Sequence, residues 1–125
     1  DVIEYDGGTP GIDEINGVLF SHFFVSGVMG RPIGGVHHAA TMLNKNNQSS
    51  VQGHSHLFDY SIKKSITGKS IQGLVGGVFQ DFHSGWAGNV NNLWWRGMCH
   101  LRNVDNGNFD LETIGMDALR KAYKE

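Results

Sequence analysis

Gly53-His54-Ser55-His56 is the sharpest chemical signal in the chain. In extended backbone, side chains two residues apart point to the same side, so both imidazoles are expected to face one site. The pair follows a short strand predicted over Ser49 to Gln52, and open α/β sheets hold ligands beyond the carboxyl ends of their strands. Gly53 removes a side chain where the backbone would approach such a site. The same spacing also suits a surface pair in a turn. His22 changes the balance, because it lies near the carboxyl end of another predicted strand and one predicted helix separates the two. A right-handed parallel crossover would set those carboxyl ends side by side. His22, His54 and His56 are then expected to converge, their ring nitrogens turned toward one pocket, and three imidazoles suit Zn, Mn, Fe or Ni. A hydrogen-bonded core role for His22 is the alternative.

Other residues carry weaker signals. Gly27 to Gly35 is a glycine-rich loop whose backbone N–H groups could meet a phosphate. Gly30 and Arg31 are its candidate substrate-binding residues, with Arg31 pairing to a substrate oxygen; a plain turn between strand and helix is the competing reading. Gly68-Lys69-Ser70 has the ending of a P-loop, but Lys63 stands where that motif needs glycine and a strand follows, so it is rejected. His37 and His38 open the predicted helix and read as solvated; Asp81 and His83 read as loop residues and His100 as structural. Cys99 reads as an inert buried thiol by default. Trp86, Trp94 and Trp95 could stack bases or sugars, but strand spacing and a net charge of -2 favour packing and hairpin cover. Asn47-Gln48-Ser49 is a formal glycosylation triplet without a visible secretory leader.

The elements that must position these groups follow from pattern. Asp1 to Gly17 reads as an acidic extended edge with turns at Asp6-Gly7-Gly8 and Asn16-Gly17. Gly17 to Val25 is nearly continuous in apolar residues and predicts a strand buried on both faces. A helix is expected over Val36 to Lys45, with Val36, Ala39, Ala40 and Leu43 on one face. Strands are expected over Leu57 to Lys63, Ser70 to Gln80 and Trp94 to Val104, with Phe82 to Leu93 a loop. Asp105-Asn106-Gly107-Asn108 is a hairpin turn returning through Phe109 to Ile114, and Met116 to Lys124 closes as a short helix. The whole predicts one α/β layer in a single domain over residues 1–125, its sheet continuing into antiparallel strands.

Composition narrows the function classes. At 125 residues, 39% hydrophobic and 18% charged, the chain is globular rather than disordered. It lacks a basic run that would claim nucleic acid electrostatically, and lacks an apolar stretch long enough for a membrane helix. Its one cysteine excludes an internal disulfide and fits a reducing, cytoplasmic compartment.

Strand-end His22, the helix and Gly53-His54-Ser55-His56 together resemble the C-terminal half of the calcineurin-like metallophosphoesterases. Ser21-His22-Phe23-Phe24-Val25-Ser26-Gly27 and Trp94-Trp95-Arg96-Gly97 look like a phage-type branch of that superfamily. So does the closing pattern Asn108-Phe109-Asp110-Leu111-Glu112…Leu119-Arg120-Lys121…Tyr123, so the resemblance spans essentially the whole chain. It implies part of a four-layer αββα sandwich, with a mixed sheet, one main crossover helix and a C-terminal β-hairpin plus short helix. It implies a metal-dependent phosphatase or phosphodiesterase holding two divalent transition-metal ions, about 3.5–4 Å apart as in two-metal sites generally. His22 and His54 match the family's ligands to one ion and His56 a ligand to the other. The resemblance implies a phosphoester substrate, with nucleic acid only as substrate, and action in the host bacterial cytoplasm.

The sequence also departs from the family. The remaining ligands come from an Asp-x-His, a Gly-Asp with the bridging Asp, and an Asn-His-Asp/Glu, all before the strand-end His. Asp1, Glu4, Asp6, Asp13 and Glu14 fit none of those spacings. The expectation is a C-terminal half without its own acid–base pair, weak or inactive alone and completed by an N-terminal half or a homo-oligomer. The strands Val18 to Val25 and Ser70 to Gln80 are expected to need that outside cover. The rival reading is a non-catalytic binding or assembly module.

Overall fold

The computed structural model describes residues 3–26, 31–34 and 37–124. Strands β1 (Tyr5–Asp6) and β2 (Thr9–Pro10) pair around Gly7-Gly8, and β3 (Asp13–Ile15) turns through Asn16-Gly17 into β4 (Val18–Phe20). Strand β5 (Val25–Ser26) pairs with β6 (Arg31–Pro32). Helix α1 (His38–Asn46) leads to β7 (Ser50–Gln52), β8 (Phe58–Lys64) and β9 (Ser70–Gly76). A 3-10 segment, Gly85–Leu93, precedes the hairpin β10 (Gly97–Asp105) and β11 (Asn108–Gly115), and α2 (Met116–Ala122) follows.

The main sheet runs β3-β4-β7-β9-β8. Strands β4, β7 and β9 are mutually parallel, while β3 and β8 are antiparallel edges. The fold is mixed α/β, with a mixed sheet, the expected crossover helix between β4 and β7, and a C-terminal hairpin plus short helix.

Alternation along the strands divides the core. Leu19 and Val75 join Ala39 and Met42 of α1, with Phe24 and Ile33. Val18 and Leu74 point the other way and meet Phe109 of β11, flanked by Cys99, Leu101 and Leu111. Gly73 lets α1 approach β9, since a Cβ there would lie 2.9 Å from the Ala39 carbonyl oxygen. The hairpin therefore forms a second layer rather than continuing the main sheet, which corrects the single-layer expectation. The cause is the inward row of Cys99, Leu101 and Leu111, which has the main sheet to cover. Val18, Leu74 and Val75 are fully buried by elements of this same chain, whereas Val25 and Phe79, in the same two apolar stretches, remain exposed.

Local chemistry explains other differences. The apolar run after Gly17 leaves the sheet at Phe20, three residues after it enters. The Ser21 hydroxyl lies 2.9 Å from both the Gly11 and Phe23 carbonyls, which stabilises the bend. Asn16 (φ 48°) and Gly17 (φ 86°), like Asn106 (φ 49°) and Gly107 (φ 80°), have the paired positive φ of a type I′ turn. The two turns abut, the Gly107 N–H donating to the Asn16 carbonyl at 2.8 Å. Val36 lies outside the described residues, and helix α1 begins two residues later than expected. Asp59 of β8 accepts the Ala39 N–H at 3.0 Å, satisfying one donor at the helix start. Among the described residues no helix is long and apolar enough to cross a membrane.

Buried Gln72 fastens the two layers. Its Oε1 accepts the Phe109 N–H at 3.0 Å, and its Nε2 donates to the Phe109 carbonyl at 2.8 Å and to the Tyr60 hydroxyl at 2.7 Å. Gln72→Leu would strand buried polar groups of Phe109, at roughly 1–3 kcal/mol for each unsatisfied group. We expect urea denaturation of that variant to show a loss of about 2–4 kcal/mol. An unchanged midpoint would mean that hydrophobic contact alone aligns the layers.

Candidate functional site

His22 and His54 meet because their strands are parallel neighbours. The backbone ladder runs past the strand ends: Ser21 donates to the Val51 carbonyl at 3.2 Å, and Gly53 to the His22 carbonyl at 3.1 Å. The buried Gln52 side chain accepts the Phe24 N–H at 3.1 Å, fixing the bend that carries His22. His22 Nε2 and His54 Nδ1 then stand 3.1 Å apart, with ring planes near perpendicular at 82°. Phe23 packs on His54 at 4.7 Å.

The route to this geometry differs from the one expected. His54 (φ 68°) and His56 (φ 65°) both adopt left-handed backbone instead of an extended strand. Ser55 donates its N–H back to the Gly53 carbonyl at 2.8 Å, closing a tight turn. The period-two argument for the pair therefore fails. His56 instead packs edge-on against Trp94 at 4.3 Å and 86°, and its buried Nδ1 has no hydrogen-bond partner among the described residues. His22 still lies close enough for its charge to act on both other rings. Left-handed φ at a non-glycine residue is unfavourable by about 1–3 kcal/mol and concentrates at functional sites. A Cβ at Gly53 would meet nothing within 4 Å, so that glycine does not admit a closer approach of the backbone.

His38 supplies a contact that the sequence reading missed. It is 5% exposed rather than solvated, with Nδ1 3.3 Å from the Ser55 hydroxyl, and so braces the turn between His54 and His56. An apolar helix face seen from sequence has no room for it, and only the crossover shows why it is buried. Arg31 sits exposed on β6 and, among the described residues, makes no hydrogen bond to the three histidines. Gly30 lies outside the described residues. Asp81 pairs with Arg120 of α2. His100 is exposed on β10, 3.5 Å from Glu112. Burial raises the Cys99 thiol pKa, in keeping with an inert role. Trp95 packs on Phe58 at 5.1 Å, but Trp86 is 80% exposed and serves no core.

The donor set suits a soft-to-borderline divalent ion. The His22–His54 separation is that of an N–H···N hydrogen bond, and equally of two nitrogens that each bind one ion at about 2.0–2.1 Å. The Nδ1 of His56 is a further lone pair or proton that the described residues leave unused. Among the described residues, no group of three or more His, Cys, Asp or Glu side chains stands placed to hold an ion. No family model, curated protein or solved structure matches the chain.

Desolvation, then the charges of His22 and His56, lowers the His54 pKa below the ordinary imidazole value. Desolvation, then His22 and Arg96, does the same for His56. The folded state therefore binds protons less readily than the unfolded chain, whose histidines titrate near about 6.5. Stability from this source is complete above that pH and falls as pH drops toward the lowered folded values. We expect the urea midpoint to be lower at about pH 5.5 than at about pH 7.5. The double variant His54→Asn/His56→Asn should flatten that slope, and an equally steep profile in the variant would locate the titrating groups elsewhere.

Proposed function

We propose that the chain contributes His22 and His54, with His56 in reach, to a divalent transition-metal site that hydrolyses phosphoesters. The observation that carries this reading is the 3.1 Å approach of His22 Nε2 to His54 Nδ1 at the carboxyl ends of adjacent parallel strands. It is supported by the left-handed backbone at two histidines, the unused His56 Nδ1 and the resemblance in sequence.

A bound metal supplies Lewis acidity and activates water for attack on phosphorus. The chain's own part is positional. The Gly53–His22 backbone bond and the Gln52 side chain hold the first imidazole, while Ser55 and His38 hold the turn that aims the second. The downward pKa shifts of His54 and His56 favour the neutral form, the state in which imidazole can bind a metal. Two adjacent dications repel strongly unless carboxylates lie between them. Neutral imidazoles alone fit one ion, and a second ion calls for carboxylates beyond this histidine group.

A second reading, an assembly module, is favoured by an open apolar groove between the main sheet and the hairpin, lined in part by Ile3, Phe20, Phe79 and Met98. On that reading the chain self-associates or takes a partner there, and metal binding is not required.

Calorimetric titration with Mn²⁺ or Zn²⁺ separates the two. We expect one ion per chain, and at least about a tenfold loss of affinity in His22→Ala and in His54→Gly. His54→Gly accepts the left-handed backbone, so its loss reports the imidazole rather than the turn. His100→Ala should bind as the parent does. Hydrolysis of a generic phosphodiester should be weak for the chain alone and rise with a carboxylate-bearing partner chain. Absence of any histidine-dependent metal binding would leave the assembly reading.

A further inference from the structure

We propose that Trp86 and Trp94 form a stacking platform for an aromatic base beside the histidines, so that the phosphoester taken there is a nucleotide. The substrate part of this inference rests on the metal-site reading above. Trp94 touches His56 edge-on at 4.3 Å, and Trp86 stands 5.6 Å beyond it with the ring planes at 55°. A line of rings thus runs outward from the histidine group to an indole that is 80% exposed.

The exposure of Trp86 is built rather than incidental. The segment bearing it is tied through one buried amide, Asn91, which is 3% exposed. Asn91 Oδ1 accepts the Ser84 N–H at 2.9 Å, and its Nδ2 donates to the Ser84 and Gly88 carbonyls, both at 2.8 Å. Arg96 donates to the Asn91 carbonyl at 3.0 Å and to its Oδ1 at 2.9 Å. These bonds fix the loop on both sides of Trp86 without burying the indole. A fixed, solvent-facing aromatic surface meets a flat ligand with little ordering left to do.

Ligand chemistry follows from the neighbours. Indole faces stack on any base, by about 1–3 kcal/mol each, without reading sequence. The Arg96 guanidinium carbon lies over the Trp94 ring, 5.7 Å from its centre, with its nitrogens donating to the Phe82 and Asn91 carbonyls and to Asn91 Oδ1, so it sets positive charge over that face while Trp86 offers the open one. The net charge of -2 and the absence of a basic run favour a short nucleotide over a long polymer. A base on Trp86 and Trp94 would direct the attached phosphate toward His56 and the His22–His54 pair.

The test uses adenosine, adenosine monophosphate and ribose 5-phosphate as probes, with and without Zn²⁺, read from the indole N–H resonances of the ¹⁵N-labelled chain. Adenosine alone should shift the Trp86 and Trp94 signals without metal. With Zn²⁺, the monophosphate should bind about 5- to 100-fold tighter than ribose 5-phosphate. Trp86→Ala should erase that ratio and leave ribose 5-phosphate binding unchanged, whereas Trp86→Tyr should keep most of it. Equal binding of the two phosphates, or a ratio indifferent to Trp86→Ala, overturns the proposal. Indole shifts that follow protein concentration but ignore adenosine overturn it in favour of contact between copies. An adenosine response that depends on Trp86, in a chain that binds no Zn²⁺, supports the platform while removing the metal-site reading.

Discussion

The hydrogen bond from the Gly53 N–H to the His22 carbonyl is a rung of the parallel ladder between β4 and β7, made beyond the ends of both strands. It fixes the two departing chains against one another just where each presents an imidazole. Ring nitrogens 3.1 Å apart on residues 32 positions apart in sequence need that backbone alignment first. A slip of one residue between the two strands would break that rung and with it the alignment of the two departing chains.

The rest of the structure keeps this ladder in place. Helix α1 covers one face of the sheet through Ala39 and Met42, and the β10–β11 hairpin covers the other through Phe109. Gln72 joins the sheet to that hairpin with a pair of hydrogen bonds to Phe109. Ser49, next to β7, bridges to the hairpin turn by accepting the Gln72 N–H and donating to the Gly107 carbonyl. Such buried polar contacts are favourable only when fully satisfied, so they specify one stacking of the layers.

Two kinds of surface meet at this end of the molecule. The histidine group is polar and partly exposed, while the surface around Trp94 is aromatic and bordered by arginine. His56 belongs to both, with one ring nitrogen unpartnered and its edge against the indole. Any ligand that used both would need an anionic end and a flat apolar end, a combination that nucleotides carry.

The sequence by itself determined the order of the main elements, because each signal there was local, but not the short β5–β6 pair or the 3-10 segment. Asn16-Gly17 and Asn106-Gly107 dictate turns through their tolerance of positive φ, and the apolar runs of β4 and β9 dictate buried strands. It also pointed to His22 and His54 as neighbours, since strands joined by one crossover helix tend to lie side by side in the sheet. Tertiary structure alone decided how the rings meet. The Gly53–His56 turn is closed by backbone and by His38, and its left-handed residues cancel the strand periodicity that pointed both rings one way. The placement of the hairpin as a second layer was equally out of reach, because Gln72 and Phe109 lie 37 residues apart and nothing local pairs them. The exposure of Trp86 was hidden for the same reason: a tryptophan in a loop reads as cover until Asn91 and Arg96 are seen holding that loop away from the core.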